Sequence, residues 1–398
     1  MDKLAIWGGK PVRESKIYYG RQCIEDDDVI AVSNALRSPF ITCGPKVVEF
    51  ENNLCKLTGA KYAVAVSNGT AALHCAMIAA GVGPGDEVIT TPMTFAASAN
   101  CALYCGATPI FADINPCTYN IDPKSIEERI TSRTKAIVAV DFTGQVVEID
   151  EIKKICDEYN LILIEDAAHS IGSMYKGTPV GNLSDMTTFS FHPVKTITGG
   201  EGGAILTNSI DYYTKLMLAR THGITHDEDM MEDIPHEGSW EYEQISLGYN
   251  YRLTDFQAAL LISQLNKIER FKNRRKEIVK IYNDAFADIP EIILQDEINE
   301  SDTCRHLYII RLNLELLKCG RREFFEAMDA ENVVCQVHYT PVYWFPYYRK
   351  LGHKKGECPN AEEVYKGILS IPLYPKMTDD DVNDVVNAVK KVINAYKR

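Results

Sequence analysis

The sequence predicts an α/β protein whose sheet is largely parallel and is covered by helices on both faces. From residue 60 onward, short apolar segments alternate with longer segments of helical periodicity, which is typical of strand–helix–strand units. Ligands of such sheets bind beyond the carboxyl ends of the strands, so the residues that follow each strand are the first candidates for a site. The predicted strands are residues 62–66, 87–90, 109–112, 136–141, 161–165, 186–191 and 204–207.

The remaining segments indicate a second, smaller domain. From about residue 290 the pattern becomes a mixture of strands, at 306–312 and 333–337, and helices. We therefore predict a large domain at residues 1–253, which includes an extended lead-in, and a smaller α+β domain at 254–398. The acidic segment 222–243 is interpreted as a mobile lid. Helices are predicted at 26–38, 47–59, 71–80, 149–159, 210–220, 254–285 (split near Phe271), 321–330, 361–369 and 379–396.

The composition excludes several classes of protein. A formal charge of −13 argues against a nucleic-acid partner, because phosphate backbones attract basic surfaces. No run of 18 apolar residues predicts a membrane span, and the first residues lack the apolar stretch of a signal peptide. The 12 cysteines are scattered and form no CxxC pair, as expected for reduced thiols in a cytoplasmic protein.

The stretch 186–208 carries the clearest candidate for catalysis. A β-branched segment ends at His192-Pro193, Lys195 follows two residues later, and a run of glycines precedes the next strand. Glycines allow the backbone to turn tightly around the lysine. Most lysines are solvated surface residues. An amine at a strand end is also suited to form a Schiff base with a carbonyl, as in pyridoxal phosphate (PLP) enzymes.

Two other strand ends bear on this choice. Segment 67–71, SNGTA, joins a strand to a helix and is suited either to bind a phosphate or simply to cap the helix. Asp166 follows the apolar strand 161–165, where a buried carboxylate needs a partner. The protonated pyridine nitrogen of PLP is one such partner, and a metal ion or a helix cap is the alternative. With Lys195 at a neighbouring strand end, PLP is favoured.

Weaker signals come from single residues. Phe95 is placed to stack on a planar ring, although a lone Phe usually belongs to a core. Ser190 offers a hydroxyl to a phosphate, although a serine in a strand is usually structural. His169 and His192 have no third ligand at a suitable spacing, so no metal site is predicted. The glycine clusters fit neither the GxGxxG motif of nicotinamide enzymes nor a P-loop.

Five motifs spread along the chain are SNGTAALHCAM, TTPMTFAAS, IEDAAHSIGS, FSFHPVKTITGGEGG and LGYNYRLTDFQAAL. Taken together, they resemble those of the DegT/DnrJ/EryC1/StrS family of PLP-dependent sugar aminotransferases. The resemblance runs over nearly the whole chain and implies the fold of aspartate aminotransferase (fold type I). Dehydratases of the family carry His in place of the lysine, so Lys195 favours transamination. FHPVK around Lys195, HGI after Arg220 and QVHYTPVY at 336–343 are most similar to members of pseudaminic acid biosynthesis.

The resemblance implies a role in cofactor binding for each matching residue. Lys195 would form the Schiff base, and Asp166 would pair with the pyridine nitrogen. His169, where other members have Gln, would lie near the phenolic oxygen, and Phe95 would stack on the ring. A homodimer with shared active sites is also implied, because the phosphate would be held by Gly69, Thr70, Ala71 and Ser190 of one subunit and Asn250 of the other.

The reaction implied by the resemblance is the transfer of an amino group from L-glutamate to a UDP-linked 4-keto-6-deoxy-N-acetylhexosamine. Two alternatives stay open: an aminotransferase acting on another nucleotide 4-keto sugar, and a PLP-fold regulator without catalytic activity. The family pattern implies that the nucleotide-sugar side of the site is lined by Tyr19, Pro39, Phe40, Ile41, Thr42, Gln336, His338 and Tyr339.

Overall fold

The computed structural model describes residues 3–232 and 238–398. Its α-helices are Asp26–Leu36 (α1), Pro45–Thr58 (α2), Gly69–Ala79 (α3), Ala97–Tyr104 (α4), Pro123–Glu127 (α5), Ile149–Tyr159 (α6), Ile210–Arg220 (α7), Asp255–Leu265 (α8), Ile268–Phe286 (α9), Arg321–Ala330 (α10), Pro346–Lys350 (α11), Pro359–Gly367 (α12) and Asp379–Tyr396 (α13). Its β-strands are Ile17–Tyr18 (β1), Tyr62–Val66 (β2), Glu87–Thr90 (β3), Thr108–Phe111 (β4), Thr134–Val140 (β5), Ile162–Asp166 (β6), Met174–Tyr175 (β7), Thr178–Pro179 (β8), Met186–Ser190 (β9), Gly203–Thr207 (β10), Ile224–Thr225 (β11), Glu243–Gln244 (β12), Ile292–Leu294 (β13), Ser301–Asp302 (β14), Tyr308–Leu312 (β15), Val333–Val334 (β16) and Ile368–Ile371 (β17).

The central sheet has the strand order β2-β10-β9-β6-β5-β3-β4. β10 runs antiparallel to its neighbours β2 and β9, and the other neighbouring strands are parallel. All residues of β3 and β10 are buried, as expected for a sheet covered on both faces. The mixed, mostly parallel α/β sheet that the sequence predicts is confirmed.

The carboxyl ends of β2, β6 and β9 lie at one edge of this sheet. Asp166 ends β6 and Ser190 ends β9. β10 begins at the same edge, because Gly203 pairs with both Val66 and Ser190. Helix α3 also begins there, directly after β2. Groups that are far apart in the sequence are therefore brought to a common edge, where ligands of such sheets bind.

The C-terminal part of the chain surrounds a second buried core. β13, β15 and β17 form an antiparallel sheet, and α9, α10 and α13 contribute apolar side chains to the same core. Leu4 and Ile17, near the start of the chain, lie in this core as well, whereas α8 packs into the core of the large sheet. The predicted division into residues 1–253 and 254–398 stays a prediction.

Several predicted elements differ from those in the structure. The helix predicted at 361–369 is wrong at its end, because α12 stops at Gly367 and the next four residues form β17. A short, buried apolar run does not distinguish a helix from a strand. α4 has no predicted counterpart, because its buried residues are small and mark no amphipathic face. The break in the long helix lies between α8 and α9, not near Phe271.

The acidic segment 222–243 is only partly described. Residues 233–237, which belong to the predicted lid, lie outside the described residues. β11 and β12 pair across the rest of the segment, and its role as a lid stays a prediction. Within residues 3–232 and 238–398, no helix is long and apolar enough to cross a membrane.

A tight turn after β5 brings two distant parts of the chain together. Thr143 (φ 64°) and Gly144 (φ 103°) both have left-handed backbone conformations. The Thr143 carbonyl accepts a hydrogen bond from His306 N at 2.8 Å. A Cβ atom on Gly144 would overlap the Cys304 carbonyl oxygen and would lie 3.0 Å from His169 O and from His306 N. The close approach of these backbones therefore requires glycine at position 144.

Gly144→Ala is expected to destabilise the protein by about 3 kcal/mol, from left-handed strain and overpacking together. Gly177→Ala is a matched control, because Gly177 also has a positive φ (75°) but no atom within 4 Å of an added Cβ. The control should cost about 1 kcal/mol, from strain alone. Urea unfolding measures both losses. Equal losses would show that the backbone around Gly144 moves aside freely.

Candidate active site

A cavity of about 920 Å³ lies at the edge of the central sheet where β2, β6 and β9 end. Its wall combines residues of the large sheet with His306, His338 and Tyr339 from the C-terminal part of the chain. Most of the residues that the sequence singles out are brought together here. They are Tyr19, Gly69, Thr70, Ala71, Phe95, Asp166, His169, Ser190, Lys195, His338 and Tyr339.

The other predicted site residues lie outside the wall of this cavity. Asn250 accepts a hydrogen bond from Arg252 Nε at 3.0 Å, although its neighbours Tyr249 and Tyr251 line the cavity. Gln336 is exposed and pairs with Ser370 through the backbone. The sugar-binding segment predicted at positions 39–42, which comprises Pro39, Phe40, Ile41 and Thr42, is also exposed. Within one chain, these residues do not reach the cavity.

Asp166 places a carboxylate at the buried end of the cavity. Its side chain is 5% exposed, and burial raises its pKa above the ordinary value for an aspartate. Three groups oppose this effect. Ser98 Oγ donates to Asp166 Oδ2 at 2.6 Å, Ala168 N donates to Oδ1 at 3.3 Å, and the positive charge of Lys195 is nearby. These partners favour the ionised carboxylate.

Lys195 lies on a loop that is closed at its base. Phe191 N donates to Gly202 O at 2.8 Å, and Gly199 N donates to Phe191 O at 3.1 Å. Burial lowers the pKa of the Lys195 amine to about 8, and the negative charge of Asp166 opposes this shift. Burial disfavours the cation, so much of the amine is neutral near pH 8. A neutral amine is the form that attacks a carbonyl.

The start of α3 forms a cradle that suits an anion. The amides of Gly69 and Thr70 are in the first turn and have no partner within the helix, and the positive end of the helix dipole lies there. Ser190 is close: a Cβ on Gly69 would lie 2.8 Å from Ser190 Cβ. The Ala71 amide already donates to Asn68 Oδ1 at 2.8 Å. The capping interpretation of this segment is therefore confirmed, with Asn68 as the cap, and its binding of a phosphate stays a prediction.

Three neutral imidazoles, those of His169, His306 and His338, also line the cavity. The His169 ring lies 4.6 Å from the His306 ring, between centroids, and Tyr339 Oη lies 3.3 Å from His169 Nε2. Burial, followed by the charge of Lys195, lowers the pKa of His338 to about 3. Burial also lowers the pKa of His169 and of His306 well below the usual value. These rings therefore offer hydrogen bonds without charge.

Several residues of the cavity wall were not among the predicted site residues. Ser98 lies in the first turn of α4, and its contact with Asp166 joins residues 68 positions apart, so the sequence carries no local signal for it. Asn68, which caps α3, stands in the quoted motif without an assigned role. His306 precedes a strand of the C-terminal sheet, and its sequence carries no signal for the site. Tyr249 and Tyr251 flank Asn250, and their rings stack 5.1 Å apart.

Comparison with known proteins agrees with this arrangement. Residues 22–390 match the model of the DegT/DnrJ/EryC1/StrS aminotransferase family. The chain belongs to this family. It is 40% identical to the spore coat polysaccharide biosynthesis protein SpsC of Bacillus subtilis, over 94% of this chain and 96% of SpsC. It is also 40% identical to the UDP-4-amino-4,6-dideoxy-N-acetyl-beta-L-altrosamine transaminase of Campylobacter jejuni, over 96% of this chain and 99% of that enzyme.

Solved structures show the same fold. Helicobacter pylori PseC, described as an aminotransferase involved in the biosynthesis of pseudoaminic acid, superposes with a TM-score of 0.89 at 32% identity, covering 96% of this chain and 100% of PseC. Spr1654 of Streptococcus pneumoniae, in its PLP form, superposes with a TM-score of 0.87 at 30% identity, covering 96% of this chain and 99% of Spr1654. The predicted fold type, aminotransferase class and PLP dependence are confirmed.

The residues of the cavity fit both the pyridine ring and the phosphate group of PLP. Asp166 accepts one hydrogen bond at each oxygen, which leaves acceptor capacity for a protonated ring nitrogen. His169 Nδ1 is buried and has no hydrogen-bond partner within the described residues. The Phe95 side chain is 64% exposed and offers a ring face for stacking. The cradle at the start of α3 suits the phosphate.

The lowered pKa of Lys195 predicts how this amine reacts in the cofactor-free protein. Modification by a small amine-specific reagent should rise with pH around a midpoint near 8, because the neutral amine is the nucleophile. Asp166→Asn should lower the midpoint, since the carboxylate stabilises the cation. Peptide mapping by mass spectrometry follows Lys195 alone. A midpoint near the ordinary lysine value in both proteins would contradict the electrostatic description of the site.

Proposed function

We propose that this aminotransferase moves the amino group of L-glutamate to C4 of a UDP-linked 4-keto-6-deoxy-N-acetylhexosamine and produces the 4-amino sugar of pseudaminic acid biosynthesis. Two relatives that carry the altrosamine transaminase name support the substrate, at 40% and 38% identity over 96% of the chain. The observation that supports the reaction type is the presence of Asp166 and Lys195 in one cavity beside the start of α3.

Each side chain of the site has a separate role in the proposed reaction. PLP, when bound, supplies an electron sink beside the reacting carbon. Lys195 Nζ takes the proton from the α-carbon of glutamate and returns a proton to C4 of the sugar in the second half of the cycle. With PLP bound, Asp166 would hold the protonated nitrogen of the ring, and Phe95 would cover one ring face. The first turn of α3 and Ser190 would hold the phosphate.

The C-terminal part of the chain supplies the wall proposed for the sugar. His338 packs between Tyr19 and Tyr339, at centroid distances of 5.2 and 4.8 Å. Ser370 Oγ lies 2.8 Å from His338 Nδ1 and fixes the ring. Aromatic faces and uncharged nitrogens suit a neutral sugar ring that carries hydroxyl and acetamido groups. Gln336 and residues 39–42 are proposed to meet the nucleotide in the assembled enzyme.

A homodimer with shared active sites is part of the proposal. Asn250 does not reach the cavity of its own chain, and we assign it to the phosphate of the second subunit. Exposed apolar side chains nearby, Leu247 at 72% and Ile245 at 40%, support an interface in this region. A cytoplasmic location is supported by the 12 cysteines, all of which are free thiols.

A second candidate function is amino transfer to a different nucleotide 4-keto sugar. SpsC, whose name refers to spore coat polysaccharide, is as similar to the chain as the altrosamine transaminase is, at 40% identity for each. This candidate uses the same Lys195 chemistry and differs in the wall of the sugar pocket. The substrate therefore has to be decided by assay.

The purified protein is expected to convert glutamate to 2-oxoglutarate with the UDP-linked 4-keto-6-deoxy-N-acetylhexosamine and to react far more slowly with dTDP- or GDP-linked 4-keto sugars. Lys195→Arg keeps the charge but should abolish turnover, because arginine cannot act as the base. Coupled detection of 2-oxoglutarate measures each reaction. Preference for another nucleotide would favour the second candidate, and an active Lys195→Arg variant would remove the proposed mechanism.

Mixing two inactive variants tests the shared site. Lys195→Ala and Asn250→Ala homodimers should each have little activity. Dissociation and reassociation of an equal mixture should restore about a quarter of the wild-type sites, because each hybrid dimer has one intact site under two-fold symmetry. Tyr249→Ala is not suitable as a partner variant, because Tyr249 lines the cavity of its own chain. Absence of complementation in hybrids verified by mass spectrometry would show that Asn250 does not act in the site of the partner subunit.

A further inference from the structure

Two hydroxyl groups, one in the loop before α4 and one in its first turn, connect to the carboxylate of Asp166. Ser98 Oγ lies 2.6 Å from Asp166 Oδ2, and Thr94 Oγ1 lies 2.7 Å from Ser98 Oγ. Both side chains are buried, with exposures of 1% for Ser98 and 4% for Thr94. Thr94, Phe95 and Ser98 thus form a short segment that contacts the carboxylate on one side and presents an aromatic ring to the cavity on the other.

The direction of these hydrogen bonds follows from the chemistry of the acceptor. An ionised carboxylate only accepts hydrogen bonds, so the single proton of Ser98 Oγ is donated to Asp166. The Ser98 oxygen then accepts the proton of Thr94. Hydrogen bonds that are aligned in this way polarise one another, and a chain ending on a charge is stronger than its separate members.

We propose that Thr94 and Ser98 are positioning residues that keep Asp166 ionised and aimed at the pyridine nitrogen of the cofactor. This inference rests on the pairing of Asp166 with that nitrogen in the proposed function. Burial alone favours the protonated carboxyl, which would leave the ring nitrogen without a negative partner. Among the described residues, the titratable groups with an electrostatic interaction with Asp166 are Lys195, Cys101 and Tyr339, and of these three only Lys195 brings a positive charge.

A purely structural serine–aspartate pair elsewhere in the chain provides a matched control. Ser170 Oγ donates to Asp141 Oδ2 at 2.6 Å, and both side chains are fully buried. Asp141 follows β5, the strand next to β6, but neither Asp141 nor Ser170 lines the cavity. Ser170→Ala therefore removes the same type of hydrogen bond without touching the proposed contact to the cofactor.

The experiment follows the ring nitrogen directly. Wild-type protein and the variants Ser98→Ala, Ser98→Thr, Thr94→Val and Ser170→Ala are reconstituted with PLP labelled with ¹⁵N in the pyridine ring. The ¹⁵N chemical shift reports protonation of that nitrogen, and rapid mixing with glutamate gives the rate of the first half-reaction. Thermal unfolding of each variant separates an effect on the site from a general loss of stability.

We expect the wild-type shift to be that of a protonated nitrogen. Ser98→Ala should move it toward the unprotonated value and slow the half-reaction by about 10- to 100-fold, the range for a hydrogen bond to a charged group. Ser98→Thr retains the hydroxyl, so its ¹⁵N shift and its half-reaction rate should be close to those of the wild-type protein. Thr94→Val should cause a smaller change in the same direction, and Ser170→Ala should change only the unfolding temperature.

Two results would contradict the inference. A wild-type ¹⁵N shift in Ser98→Ala, with only a lower unfolding temperature, would make Ser98 structural. If Ser98→Ala does not fold, an unchanged shift in Thr94→Val overturns the proposal in the same way. An unprotonated nitrogen in the wild-type protein is a different outcome, because it removes the pairing of Asp166 with the ring and therefore the proposed assignment on which this inference rests.

Discussion

The opposite charges of the buried Asp166 and the half-buried Lys195, at one edge of the sheet, constrain the rest of this site. Burial costs free energy for both ions, and the protein offsets this cost unequally. Asp166 receives a hydroxyl and an amide hydrogen bond, which favour its ionised form. Burial instead lowers the pKa of Lys195 to about 8, so its amine is ready to exchange protons. The same edge of the sheet thus holds Asp166 as a carboxylate and Lys195 as an amine that can act as a general base.

The topology of the sheet explains how these groups meet. β6 and β9 are parallel neighbours, so Asp166 and the loop that carries Lys195 lie at the same edge. β10 returns antiparallel and brings the glycine run to the start of α3. The turn at Gly144 attaches the C-terminal part of the chain to this edge, because the Thr143 carbonyl accepts a hydrogen bond from His306 N. The Arg275 guanidinium donates to the carbonyls of Arg305 and His306 and fixes this segment within the C-terminal part. The residues proposed for the cofactor and those proposed for the sugar therefore come largely from different parts of the chain.

The site residues at the strand ends could be predicted because the sequence pattern that marks each of them lies in the residues immediately around it. Asp166 and Ser190 end apolar strands and Lys195 follows one, and the family motifs around them assign the cofactor. Ser98 was missed because its contact with Asp166 joins residues 68 positions apart, which no local pattern records. β17 was misassigned because its four buried residues have no distinctive periodicity. The contacts proposed for Asn250, residues 39–42 and Gln336 join two chains, which a pattern in one sequence does not record.

The most direct test of the central claim is borohydride reduction of the protein after incubation with PLP, followed by peptide mapping. Reduction converts a Schiff base into a stable amine and so marks the lysine that carried the cofactor. The account predicts loss of the visible absorption band and a phosphopyridoxyl group on Lys195 alone, with the label absent from Lys195→Ala. A label on another lysine, or no label in a protein that binds PLP, would contradict the assignment of Lys195 and the mechanism built on it.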